Sequence, residues 1–572
     1  MAMWQKSGLN EVTHLWKMYE SGIDYQIRTG LRSNIPKYID FYEGRQWPCP
    51  TENTKNLPRP VVNIVKMICR SKKSSILSTP VKILYKSYSP KTDTSKLNDF
   101  ADSIQKEMNQ EGLDRLAIDD GIKKGSYFYH YYWDKYAEGL SGRIEGGVRC
   151  EIIDPLNIFF SNPSEINEQK QKWILIATPM EQESVLALAD EDVNPEQIAS
   201  SDKENTSQGS KTVTLLTRYY RINGEVWCER GTKGCIINKP FPLTPDKSYF
   251  ERLIGVSKEQ KAQKNDTEAH NNSQSKYLSM IIKEKKPRAT LYPIVCGYYE
   301  RKEGSIYGIS EVEGIIPNQK AINFNIAMTL LNSQQCAWGK YIALPEALKG
   351  QTITNSPGQV LIDYTGTGEG IKRLKDEGVS EIPMSIVQAI TELTRTATGS
   401  SEILSSEALS SNLSGVAIAQ LQAQAEVPIE ELRASFWEAK KKQGAVIAQF
   451  IRLYYFDKQF LRKAKDTEGK ECEICDTFFS QEYENAILDV LVEPIKGTRA
   501  TLSSDISLLN DCLKAGKISF ETYIKAYPEG AISNKSSILH QIEQEKTAEI
   551  YKLRKELEKY KNGKTLDPVS II

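Results

Sequence analysis

Residues 310–340 read SEVEGIIPNQKAINFNIAMTLLNSQQCAWGK. Ile315, Ile322, Ile326 and Leu330 recur at spacings of seven, four and four, the period of one face of an α-helix. Between Glu313 and Lys340 the only charged residue is Lys320, and amides such as Asn318, Gln319, Asn323, Asn325, Asn332, Gln334 and Gln335 supply the polarity. A helix that faces water carries charge on its outer side. This one does not, and it reads as built to pack against copies of itself. An apolar stripe such as Ile322, Ile326 and Leu330 also serves a private core; the two readings agree on burial and differ on whose chain supplies the partner.

Toward the C-terminus, about forty residues of short strand and turn follow, then a helix from Met384 to about Thr398. The serine-rich run SSEILSSEALSSNLSG ends at Gly415. From Val416 a helical pattern extends to about Phe456, with Leu432, Phe436, Ile447, Phe450, Ile451 and Tyr454 as its buried stripe. At ~1.5 Å per residue it reaches on the order of 60 Å, and Pro428 is expected to kink it, because the ring removes a hydrogen bond. Residues 477–500 return to strand character. Two short helices about Gly516 and a charged terminal helix close the chain.

Toward the N-terminus the pattern is α+β. Residues 11–46 and 96–123 each read as helix, a further helix opens after Pro60, and VKILYKSY alternates as a half-buried strand. The run SYFYHYYWDKY and the segments VRCEIIDP, LNIFFSN, KWILIATPM, VTLLTRYYRI, GEVWCERG and CIINKPF read as strands. Two polar excursions, near 190–210 and 257–276, interrupt them.

Composition narrows the function classes. Lys plus Arg number 74 and Asp plus Glu 74, so no basic surface announces a nucleic-acid partner. Ten dispersed cysteines indicate a reducing compartment, the N-terminus lacks the pattern of a secretory signal, and no apolar run approaches the ~18 residues of a membrane span.

The order of elements resembles the portal proteins of tailed double-stranded DNA bacteriophages. FYEGRQWP with LPRPVVNIVKMICRS is similar to that family's opening helices, IIDPLNIFFSNPS with KWILI to its wing, SIYGISEVEGIIPNQKAINFNIAMTLL to the entry of its first stem helix, and SSNLSGVAIAQLQAQAEVPIEELRASFWEAKK to its tunnel loop and long kinked helix. The resemblance implies an α+β wing over 1–309, stem helices over 310–340 and 384–398, a small β-containing clip over 341–383, a tunnel loop over 399–415, the long helix and remaining wing strands over 416–501, and a helical crown over 502–572. It further implies a ring of about twelve subunits at one capsid vertex, through which double-stranded DNA passes without sequence-specific binding. The large terminase docks on the clip during packaging and the head–tail adaptor afterwards, and capsid and scaffolding proteins are the other partners. Stem positions are then Gln319, Ile322, Asn323, Ile326 and Leu330, the kink is Pro428, and the channel loop carries Ser400, Ser401, Glu402, Ser405, Ser406, Glu407, Ser410, Ser411, Asn412 and Ser414.

That loop suits the task. A charge-assisted contact to phosphate brakes a sliding duplex; the loop has no Lys or Arg, and Glu402 and Glu407 repel phosphate. Catalytic residues, cofactors and metals are not expected. Cys472 and Cys475 form one CxxC with only the loose pair Cys228 and Cys235 to complete a zinc site, and the four histidines are dispersed. TGTGEGIK lacks the lysine ending of a phosphate loop and reads as a turn. Lys440, Lys441 and Lys442 read as a solvated face. The rivals are another structural phage component, such as a head–tail adaptor or tail protein, and a DNA-processing enzyme; the latter needs clustered carboxylates, and Asp119 with Asp120 or Asp190 with Asp192 sit in ordinary helix or linker.

Overall fold

Apolar spacing sets the helices, and residues with left-handed backbone divide two of the stretches read as single helices. A computed structural model describes residues 8–88, 93–137, 146–190, 212–245, 288–337, 341–354, 359–373, 381–399, 415–455, 457–465, 471–479, 486–494 and 508–527, with isolated positions at 193, 198, 483 and between 538 and 557. The stretch read as one helix over 11–46 is two, α1 (Gly8–Arg28) and α2 (Leu31–Glu43), because Gly30 turns at φ 77°. Gly44, at φ 96°, ends α2. The stretch over 96–123 likewise divides. After α3 (Ile64–Leu77) and β1 (Val81–Ser87) come α4 (Ser95–Glu107) and α5 (Gln110–Lys124), separated by Asn109 at φ 52°. Leu116, on α5, is 58% exposed.

Strands β2 (Ser126–Asp134), β3 (Gly147–Ile153), β4 (Ile158–Phe160) and β5 (Trp173–Glu181) are followed by α6 (Gln182–Leu188), then β6 (Thr212–Ile222), β7 (Glu225–Gly231), β8 (Ile236–Pro242) and β9 (Ile294–Tyr298). They form an antiparallel three-stranded sheet of order β3-β2-β9 and a five-stranded meander β4-β5-β6-β7-β8. Side chains alternate across a strand, and here both faces are covered. Ile174 and Ile176 of β5 join Phe128, Tyr219, Val226 and Ile294 in the core between the sheets, while Leu175 and Ala177 meet Leu15 and Tyr19 of α1 on the other side. In β2, Phe128 enters that core and Tyr129 turns the other way, its hydroxyl donating to Asp114 of α5 at 2.9 Å. Two-sided burial is why these strands read as nearly continuous apolar and aromatic runs. A fully buried aromatic of this kind contributes on the order of 2–3 kcal/mol.

Next come α7 (Glu311–Ala337), β10 (Tyr341–Ala343), the one-turn α8 (Pro345–Leu348), β11 (Ile371–Arg373), α9 (Ile382–Ala397) and α10 (Gly415–Tyr454). One helix runs through position 428, although the Pro428 side chain lies outside the described residues. α10 returns to the sheets: Gln449 accepts from the Thr290 and Leu291 amides at 2.9 and 2.8 Å, Ser435 donates to the Tyr298 carbonyl at 2.8 Å, and Tyr85 of β1 donates to the Gly444 carbonyl at 2.9 Å. Strands β12 (Asp457–Lys465) and β13 (Glu471–Phe479) pair antiparallel, and β14 (Leu488–Pro494) pairs with β1.

Residues 1–77 and 83–493 form one compact unit, and residues 78–82 with 494–572 a second. Within the second, a helix over 508–514 and α11 (Phe520–Ala526) flank Gly516 at φ 68°. Tyr523 fastens this hairpin by donating to Asn510 at 2.6 Å.

Candidate functional site

The two charge-poor helices α7 and α9 pack together. Val387 and Thr394, seven residues apart, are buried, and Asn318 on α7 donates to the Thr394 hydroxyl at 2.9 Å. The amides of α7 do not all serve one purpose. Gln319 is fully buried in its own chain: its oxygen accepts from the Ile64 and Val65 amides at 3.0 and 3.3 Å, and its nitrogen donates to the Val62 carbonyl at 2.7 Å. Those amides are orphan donors at the start of α3, so a side chain 255 residues away caps that helix. Asn323 accepts from Gln319 at 2.9 Å and donates to Gln46 at 2.6 Å, and Gln46 donates to the Phe41 carbonyl at 2.8 Å. For Gln319 and Asn323, two of the expected stem positions, the buried partners are thus in their own chain.

Along the stripe burial fades. Ile322 is buried, Ile326 is half-buried and Leu330 is 43% exposed. Phe324 and Met328, one turn apart, are exposed as well. On α9, Ile382, Ile386 and Leu393 share a face and are 67%, 40% and 68% exposed. The first half of α7 is thus anchored in its own chain, while its second half and the flank of α9 present apolar surface to solvent, which is unusual for an isolated soluble chain.

Beyond α7, β10 and β11 pair antiparallel and bracket a turn built on Asp363. Its carboxylate accepts from the Thr365 hydroxyl, the Thr365 amide at 2.9 Å and the Gly370 amide at 3.0 Å, which together hold it below the usual carboxylate range. The glycines of TGTGEG make a turn around the chain's own anion, with Gly366 and Gly368 at φ 68° and 69°.

The reading of Lys440 to Lys442 as a solvated face is corrected. Lys440 is 4% exposed and ion-paired with Asp114, which also accepts from Gln110 at 3.1 Å. Lys442 pairs with the buried Glu168 at 3.1 Å. Burial pushes the Glu168 carboxyl up, against the pull of Lys442. Helical spacing spread the three lysines round the axis as expected, but Asp114 of α5 and Glu168, in a 3-10 turn before β5, occupy two of those directions.

At the foot of α7, Asp119 is gripped by Lys73 at 3.1 Å and by Lys123 at 2.5 Å. Burial alone raises its pKa, but the two ammonium groups outweigh that and hold it below the ordinary value. A depressed carboxyl contributes stability above its unfolded pKa of about 4 that is lost as pH falls through the folded value. Asp119→Asn is accordingly expected to lower Tm near neutrality, with the gap from wild type closing as pH falls below about 4, in thermal melts across a pH series. Asp120 is likewise held by Lys124, at 3.0 Å, so neither aspartate has the disposition of a metal ligand.

The ten positions expected in the channel loop, Ser400, Ser401, Glu402, Ser405, Ser406, Glu407, Ser410, Ser411, Asn412 and Ser414, lie outside the described residues, as do most of 190–210 and all of 257–276. No cluster of three metal-ligating side chains occurs among the described residues. Cys228 sits in the core between the sheets and Cys235 in a separate cluster with Val185 and Ile237. Among the described residues no helix is long and apolar enough to cross a membrane. Sequence reasoning missed the Gln46–Asn323–Gln319 relay and the buried Lys440; the available signal was the run of amides without charge on α7, which marks polar groups that must find partners inside.

Three comparisons place the chain among known proteins. The family described as phage P22-like portal protein matches residues 31–472. No curated protein matches the sequence. Among solved structures, the neck of a native GTA particle computed with C12 symmetry is similar, at 9% identity and a TM-score of 0.33 over 80% of this chain and 86% of that one.

Proposed function

Because the chain belongs to the phage P22-like portal protein family, we propose that it builds the DNA channel of a phage head from α7 and α9. The family is structural rather than enzymatic, and a portal role at the capsid vertex, within an oligomeric ring, follows from membership. The observation that carries the reading is the family match, which spans both sheets, α7, α9 and the whole of α10.

In this reading α7 and α9 are the stem, the β10–β11 segment is the clip that docks the large terminase and then the head–tail adaptor, residues 399–415 line the narrowest passage, and residues from 502 onward form the crown. Capsid and scaffolding proteins contact the wing. About twelve copies close the ring. Two features support it. The uncovered apolar residues Phe324, Met328, Ile386 and Leu393 require a cover that sister copies supply. The single lysine between Glu313 and Lys340 leaves little to grip phosphate, so duplex slides without a fixed register. In this reading energy for packaging comes from the terminase.

Negative-stain microscopy of the purified full chain, with its mass in solution, tests this: a broad winged ring with a narrower stalk and central hole is expected. A monodisperse monomer at high concentration overturns it.

A further inference from the structure

α3 is a 14-residue helix, about 21 Å long, and both of its ends are held by side chains from other helices. At its start Gln319 of α7 takes the Ile64 and Val65 amides and donates to the Val62 carbonyl. At its end Arg433 of α10 donates twice to the Ser75 carbonyl, from Nε at 3.2 Å and from a terminal nitrogen at 2.9 Å. Between them Lys72 is 5% exposed and lies within the field of Glu311, the first residue of α7. Glu311 in turn accepts from the Tyr299 hydroxyl at 2.9 Å. The neighbour of Gln319, Asn318, is the residue bonded to Thr394 of α9.

These bonds form a continuous series. α9 is tied to α7 by Asn318, α7 to the head of α3 by Gln319, and the tail of α3 to α10 by Arg433. We propose that α3 is a strut that couples α7 and α9 to α10, with Gln319 and Arg433 as the side chains that fasten its two ends. The inference deepens the channel reading and rests on it only for what displaces α7. A helix transmits displacement along its axis because its backbone bonds are internally satisfied, and capping at both ends leaves no compliant joint. A shift of α7 during passage of DNA is therefore delivered to α10 through α3. Coupling of this kind is shown only by an element whose state both sides bias.

Amide hydrogen exchange on the full chain provides the test. Gln319→Leu removes both the acceptor and the donor; exchange is expected to rise about tenfold, the scale of one lost buried hydrogen bond, in the first turn of α3 and also across 429–440 of α10. Arg433→Met is expected to raise exchange in the last turn of α3 and across 315–323 of α7. Changes confined to the end of α3 beside each substitution overturn the strut. Should Gln319→Leu fail to fold, Arg433→Met, at a half-buried position, decides the question by its own two readings. Native mass of the same preparations reports on the ring separately: a monomer with coupled exchange keeps the strut and removes the channel.

Discussion

Lys440→Met is expected to destabilise the larger unit by about 3–5 kcal/mol, because it leaves the Asp114 carboxylate buried without a counter-charge. Asp114 retains its bonds from the Tyr129 hydroxyl and the Gln110 amide, but neutral donors do not replace an ammonium group in a medium of low dielectric. The loss is large against the ~5–15 kcal/mol by which a domain is ordinarily stable. It also falls at a junction, since Asp114 lies on α5, Tyr129 on β2 and Lys440 on α10. The double variant Lys440→Met/Asp114→Asn removes both charges while keeping an acceptor for Tyr129 and Gln110, and is expected to recover much of the loss. Urea titration followed by tryptophan fluorescence, with limited proteolysis as a second probe, measures both variants. A single-variant loss below about 1 kcal/mol, the range of solvated pairs, would show that the pair is open to water.

What the sequence disclosed and what it hid divide along physical lines. The bounds of α7 and α10 were readable to within a few residues, because their apolar spacing is long and regular, and β2 and β5 announced themselves by composition because both of their faces are buried. The breaks at Gly30 and Asn109 were not readable. A glycine or asparagine inside a periodic run is compatible with helix, and only the packing of α1 against the large sheet and of α5 against β2 shows that the chain turns there. Lys440 illustrates the deeper limit: its local sequence is that of a solvated helix, and its burial depends on an aspartate more than three hundred residues earlier. Gln319 is the same case on α7. Periodicity identifies which residues share a face, but the element that meets the face is a property of topology.

The exposed stripe on α9 is where a substitution should separate folding from assembly. Leu393 is 68% exposed in the single chain and shares its face with Ile382 and Ile386. A substitution on an exposed helix surface ordinarily changes stability by less than about 0.5 kcal/mol, so Leu393→Asp is expected to leave the monomer's thermal unfolding unchanged. Assembly is another matter. In a closed ring every subunit presents the same patch, and a carboxylate desolvated there without a partner costs several kcal/mol at each contact, enough to weaken each by more than about a hundredfold. The expected result is a folded monomer where wild type forms a ring, read by light scattering behind size exclusion, with Leu393→Met retaining the ring because it keeps the apolar contact. A ring that persists in Leu393→Asp would remove this face of α9 from the subunit interface. A monomer that melts markedly lower would instead assign the stripe to the interior of its own chain, and the apolar surface of α7 and α9 would then no longer argue for sister copies.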